Sequence, residues 1–169
     1  EKQTGNPRYA EIANIHAETA FETVFCSDAT TFHTFFFDPK TGLPVKGVTW
    51  QGYSDNSCWA RGQSWGIYGL PLYFDDSSNA ERLPLWHQIT NVFLNALPAD
   101  LIPCWDLVFG DGSGHPRDTS AAAIAACGLL RIGKYLKAGN AYEAAAKAIV
   151  CSLINHYTTA QGENSTALI

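Results

Sequence analysis

The chain has 169 residues, 46% of them hydrophobic and 16% charged, enough to bury a core and too apolar for a disordered ensemble. Its formal net charge is −5 with no grouped Lys/Arg, which argues against nucleic acid as a partner, because phosphate binding needs clustered cations. No apolar run approaches the ~20 residues of a membrane span, and no signal peptide is visible.

The first predicted element is an amphipathic helix over about 8–25. Asn6 in Thr4-Gly5-Asn6-Pro7-Arg8-Tyr9 is its expected N-cap and Pro7 its first helical residue. Next, Phe32–Phe37 and Val45–Trp50 flank Asp38–Pro44, the pattern of an irregular β-hairpin. A helix over about 61–74 follows, poor in charge and punctuated by Gly62, Gly66 and Gly69, with Pro71 counting against a tidy C-terminal half.

A second amphipathic helix is expected over about 80–97 behind an Asn79 cap. Its apolar face is Leu83, Trp86, Ile89, Phe93 and Leu97, and Pro84 is an irregularity just past its first turn. The connection from Pro98 to Arg117 is about 20 residues, longer than compact domains usually need, and such loops tend to carry function. Asp118 or Thr119 then caps an alanine-rich helix over about 119–137. The last helix, about 141–158, starts at Ala138-Gly139-Asn140 with Glu143 completing a capping box, and its apolar face is Tyr142, Ala146, Ile149, Val150, Leu153 and Tyr157.

Amphipathic helices thus alternate with small-residue helices that need close neighbours on several sides. Asn79 and Asn140 lie 61 residues apart, and Asn6 and Asn79 lie 73 apart because the hairpin is inserted between them. The fold class is therefore all-α, an array of αα-hairpins. There is no Met, the chain opens on Glu1-Lys2-Gln3, and Glu163–Ile169 gives no clear stop signal, so a fragment or processed product is the expectation. Cys26, Cys58, Cys104, Cys127 and Cys151 have neither zinc nor disulfide spacing, and Cys127 and Cys151, within apolar helical stretches, read as small hydrophobes.

The segment richest in chemistry is Trp50-Gln51-Gly52-Tyr53-Ser54-Asp55-Asn56-Ser57-Cys58-Trp59-Ala60-Arg61-Gly62-Gln63-Ser64-Trp65. Aromatic faces beside a guanidinium and amides suit a hydroxylated, anionic ligand such as a sugar acid. Each residue also has a plainer reading. Arg61 serves as a surface or capping residue, Trp59 and Trp65 as core filler, and His33 as a satisfied loop histidine like His16, His87, His115 and His156. Tyr53 and Asp55 shape the turn. Trp105 and Asp106, in the long loop, are by contrast candidates to border the cleft. No metal-ligand cluster and no phosphate-binding loop is present in the sequence, so no cofactor is expected.

With His33, Gln51 and Trp59-Ala60-Arg61-Gly62-Gln63-Ser64-Trp65 in place, the chain resembles the unsaturated glucuronyl hydrolases, glycoside hydrolase family 88. The similarity runs from about Thr4 to Tyr157 and includes Thr31–Thr34, Gln51–Asp55 and Arg117–Ala121. The unsaturated rhamnogalacturonyl hydrolases, which usually carry Asn where Gln63 stands, and a non-catalytic carbohydrate-binding helical domain remain alternatives.

The resemblance implies a toroid of six αα-hairpins, an (α/α)6 barrel, of which residues 1–169 form roughly half a ring. Alone, such a half would be poorly soluble or self-associating and inactive. It implies lyase-derived oligosaccharides ending in a 4,5-unsaturated glucuronic acid as substrate, hydration of the double bond as chemistry, and a cytoplasmic location. It implies His33, Gln51, Trp59, Arg61 and Trp65 as substrate-binding residues, with the acid/base aspartate upstream of Glu1; Asp55, Asp106 and Asp118 match no such motif.

Overall fold

The computed structural model describes residues 3–137 and 140–159. Ala138 and Gly139 of the third helix start, Glu1–Lys2, and the closing Glu163–Ile169 lie outside the described residues. The chain is mostly helical, in the order α1 (Arg8–Thr23), β1 (Thr34–Phe37), β2 (Pro44–Val48), α2 (Ala60–Ser77), α3 (Leu83–Asn95), α4 (Thr119–Arg131) and α5 (Ala141–His156), with a 3-10 turn at Ile132–Tyr135. Among the described residues no helix is long and apolar enough to cross a membrane.

Helix ends differ from the sequence expectation for local reasons. Asn140 accepts from the Glu143 amide at 3.0 Å, as a capping box requires. Asn79 instead closes a turn by accepting from Glu81 N–H at 2.8 Å, and α3 starts later, at Leu83. Pro84 then falls in the first turn of α3, where its missing N–H costs no helical hydrogen bond. Asn6 likewise accepts from the Arg8 amide at 3.0 Å while Pro7 takes the cap position. The predicted 119–137 helix tightens into the 3-10 turn after Arg131.

α2 runs unbroken through Pro71, which sits buried inside it. Proline cannot donate to the carbonyl four residues back, so the ring orphans Ile67 O in a buried place. The Trp86 indole N–H from α3 donates to that oxygen at 2.8 Å. Trp86, Ile67, Phe74, Ile89 and Phe93 are fully buried around this bond. From the other side α4 presses its backbone on the same peptide: a Cβ at Gly128 would lie 2.5 Å from Ile67 O. The buried face of α4 is accordingly Ala121, Ala122, Ala125, Ala126, Gly128 and Leu129, and α5 adds Ala146, Ile149 and Leu153.

One expectation needs correction. Cys127 and Cys151 are exposed, because the apolar faces of α4 and α5 pass beside them, and Cys58 and Cys104 are the buried thiols. α1 has no buried residue, and Tyr9, Ile12 and Ile15 are 56%, 53% and 61% exposed. It is attached through Phe21, whose ring meets Tyr73 edge-on at 5.2 Å, and through the Glu18–Arg82 ion pair. The β-hairpin pairs Thr34 with Val48, Phe35 with Gly47 and Phe36 with Lys46, with an irregularity before Phe37 and Pro44.

Trp86→Phe removes the donor to a buried carbonyl and should cost roughly 1–3 kcal/mol of stability in thermal or denaturant unfolding. In a Pro71→Ala background the restored amide supplies Ile67 O, so the same change should cost on the order of 1 kcal/mol less. Equal costs in both backgrounds would show that the indole is mere filler.

Candidate functional site

The loop from Thr49 to Ser54 is shaped by side chains. Its amides donate in turn to Asp55 Oδ1 at 2.8 Å from Thr49, to His33 Nδ1 at 3.1 and 3.2 Å from Trp50 and Gln51, and to Thr49 Oγ1 at 2.7 Å from Gly52. Tyr53 donates to Asp106 Oδ2 at 2.8 Å and Ser54 to Ser57 Oγ at 2.9 Å. Every amide in the stretch is satisfied without a helix or sheet ladder. The loop can therefore leave Trp50 73% and Tyr53 62% exposed and still hold one shape.

Beyond this loop the chain is zipped to the long 98–117 connection. Ala60 N–H donates to Trp105 O at 3.1 Å and Leu107 N–H to Cys58 O at 2.9 Å, pairing Trp59 with Asp106. The connection is tied internally by Arg117, whose guanidinium donates to Asp100 Oδ2 at 2.9 Å, Asp111 Oδ1 at 2.7 Å and Cys104 Sγ at 3.0 Å. Burial pushes the Asp100 carboxyl up, but bonds from Arg117 and from the Tyr157 hydroxyl, at 2.6 Å, hold it below its usual range. These ties explain how a connection of this length stays ordered.

The N-terminal ends of α2 and α4 meet at Asp118. One carboxylate oxygen accepts from the Ala121 amide at 2.9 Å, capping α4. The other accepts from Arg61 Nε at 3.1 Å and lies 3.0 Å from Arg61 Nη2 in an ion pair. Arg61 thus has a charge partner already, although its side chain remains 39% exposed. Its guanidinium also lies 5.5 Å from the Trp59 ring centroid, a cation–π distance.

His33, 4.5 Å from Trp59 between ring centroids, uses Nδ1 as acceptor for two amides, which leaves its ring proton on Nε2 as an outward donor. Trp65 is 52% exposed, so it is not core filler. His33, Trp59 and Trp65 line a cleft of about 460 Å³ between α1 and α2, together with Thr31, Gly62 and Gly66. Gln51, on the exposed loop, and Arg61 lie outside that lining. The structure therefore gathers four of the five predicted residues around the start of α2, with Gln51 joined through its amide to His33. A larger depression of about 700 Å³, lined by Tyr9, Asn14, Tyr73 and Ser77 among others, sits toward the other end of α2, away from these groups.

Two residues carry more than the sequence disclosed. Gln63, wholly buried, donates from Nε2 to Ala29 O at 2.8 Å and Ile89 O at 2.9 Å, and accepts from the Cys58 thiol at 3.2 Å. Burial pushes that thiol up to about 11, so it stays protonated and able to donate. Asp106, also wholly buried, takes Tyr53 N–H, the Ser57 hydroxyl at 2.7 Å and Val108 N–H at 3.2 Å. No periodicity or spacing signals a carboxylate that binds a loop 53 residues away. Among the described residues no group of three His, Cys, Asp or Glu side chains could hold a metal ion.

The sequence model of Glycosyl Hydrolase Family 88 matches residues 4–167. An unsaturated chondroitin disaccharide hydrolase of Streptococcus pneumoniae is 48% identical over 95% of this chain and 41% of its own length. The crystal structure of an unsaturated glucuronyl hydrolase from Bacillus sp. GL1, described as responsible for the degradation of glycosaminoglycan, superposes with TM-score 0.93 at 35% identity, covering 99% of this chain and 46% of that one. A mutant unsaturated glucuronyl hydrolase from Streptococcus agalactiae, complexed with dGlcA-GalNAc6S, superposes with TM-score 0.84 at 46% identity, covering 95% and 44%. The chain thus spans less than half the length of the relatives it matches.

Asp118→Ala removes both the cap of α4 and the Arg61 partner, whereas Asp118→Asn keeps a good capping group. Thermal unfolding should place the alanine variant about 1 kcal/mol below the asparagine variant. Equal stabilities would mean that the cap contributes nothing.

Proposed function

The chain belongs to glycosyl hydrolase family 88, and from that premise we propose that it is part of a hydrolase acting on oligosaccharides that end in a 4,5-unsaturated glucuronic acid. The proposed reaction is hydration. A carboxylic acid protonates C4 of the double bond, water adds its oxygen at C5, and the hemiketal opens and expels the remaining sugar. Such an acid needs a shielded pocket that keeps it protonated. Asp55, Asp106 and Asp118 are each committed to loop or cap hydrogen bonds. On the family resemblance alone, the acid/base aspartate is taken to lie upstream of Glu1.

The substrate is proposed to lie against the start of α2. Arg61 and Gln51 address the uronate end, Trp59 and Trp65 offer stacking faces, and His33 gives an Nε2–H donor. The observation that carries this reading is the clustering of His33, Trp59, Arg61 and Trp65 at one helix N-terminus, where the dipole also favours an anion. Asp118 gives Arg61 a fixed orientation in advance, so that little side-chain entropy is lost when a carboxylate meets its exposed edge.

The five helices are proposed to form part of an (α/α)6 toroid, residues 1–169 being a portion of that one domain. The exposed Tyr9, Ile12 and Ile15 face would be covered in the same assembly. A cytoplasmic site of action rests on the family resemblance alone.

The test uses the full-length protein and an unsaturated disaccharide, following loss of the absorbance of the 4,5 double bond. Arg61→Ala should raise KM at least about tenfold, the equivalent of some 1.4 kcal/mol of lost binding. Unchanged turnover would refute the uronate assignment of Arg61. A wild-type protein that binds the sugar without consuming the double bond would instead favour a carbohydrate-binding domain.

A further inference from the structure

We propose that Asp106 is a positioning residue for substrate, holding the exposed Trp50–Ser57 loop in its binding shape from beneath. This inference rests on the reading of that segment as the substrate-binding wall.

Asp106 lies on the 98–117 connection and is wholly buried. A carboxylate accepts and never donates, and each of its neighbours here is a donor: Tyr53 N–H at 2.8 Å, Ser57 O–H at 2.7 Å and Val108 N–H at 3.2 Å. Burying a carboxylate costs several kcal/mol unless such bonds compensate it. Joining the two segments does not require this residue's side chain, because the backbone pairs Ala60 with Trp105 and Leu107 with Cys58 already do so. What the carboxylate adds is reach, from that backbone zipper out to residues 53 and 57 of the exposed loop.

The packing agrees. A Cβ on Gly52 would meet Thr49 Oγ1 at 2.5 Å and Asp106 Oδ2 at 3.1 Å, so the loop backbone is pressed down on the carboxylate. The Ser57 hydroxyl has one proton, and Asp106 Oδ2 at 2.7 Å is nearer than Ser54 O at 3.0 Å. His33 grips the loop at residues 50 and 51, and Asp106 grips it at residue 53. Gln51 is clamped between two remote side chains, and so are the aromatic rings on either side of it. A loop ordered before binding loses less entropy when the sugar arrives. Its loosening should appear as lost ground-state binding, in KM and not in kcat.

Asp106→Asn replaces one acceptor oxygen by an NH2 group facing donors. In the full-length protein it should raise KM for an unsaturated disaccharide about tenfold and leave kcat within about threefold. Ser57→Ala, which removes a single bond, should raise KM about threefold by the same route. Asp75→Asn breaks ion pairs with Arg131 and Lys134 near the other end of α2, and should lower Tm without moving KM. Unchanged KM in Asp106→Asn, or in Ser57→Ala if the first variant does not fold, would overturn the positioning role. So would a KM rise of equal size in Asp75→Asn at matched Tm. Absence of double-bond loss in the wild type would refute the proposed function itself, a distinguishable outcome.

Discussion

The carbonyl of Ile67 is the point on which the helical frame turns. Pro71 deprives it of its helical donor, Trp86 restores one from α3, and Gly128 lets α4 come down on the same peptide. Three helices are thereby fixed to one another by a single buried peptide group, in a place where an unmatched oxygen would cost more than a surface hydrogen bond ever returns. The start of α2, where Trp59, Arg61 and Trp65 project, inherits its position from that contact.

At the start of α2 a different rule takes over. Residues 49–54 form no regular structure, and each amide is answered by a side chain. A helical frame thus presents an irregular loop whose shape is set by His33, just before β1, and Asp106 from the long connection. The residue that leads into the hairpin and the long connection thus support the loop jointly. Arg61 is fixed in parallel through Asp118, the N-cap of α4.

Much of this was legible in the sequence. The five helices and the hairpin follow from periodicity and turn residues. The small-residue character of α2 and α4 forecast close packing, realised where Gly128 meets Ile67. The prolines misled: Pro71 reads as a breaker because its remedy, Trp86, comes from another helix, and Pro84 reads as an interruption because Asn79 mimics a helix cap. Cys127 and Cys151 sit in apolar sequence yet face outward, since an alanine-rich helix hides which of its faces is buried. Of the residues the motif singles out, His33, Trp59 and Trp65 line one cleft and Arg61 lies 5.5 Å from the Trp59 ring, while Gln51 stands on the exposed loop. Asp118 as the partner of Arg61, Gln63 as a buried clamp and Asp106 as a loop anchor were not legible, because hydrogen bonds spanning 26 to 57 residues leave no trace in local pattern.

The proposal that this framework serves hydration of an unsaturated uronate is open to direct test. The most direct measurement is proton NMR of the full-length protein acting on an unsaturated disaccharide in heavy water. Hydration requires that the vinyl signal at C4 vanish in step with release of the second sugar, with deuterium delivered to C4. Release of that sugar while the vinyl signal persists would contradict it.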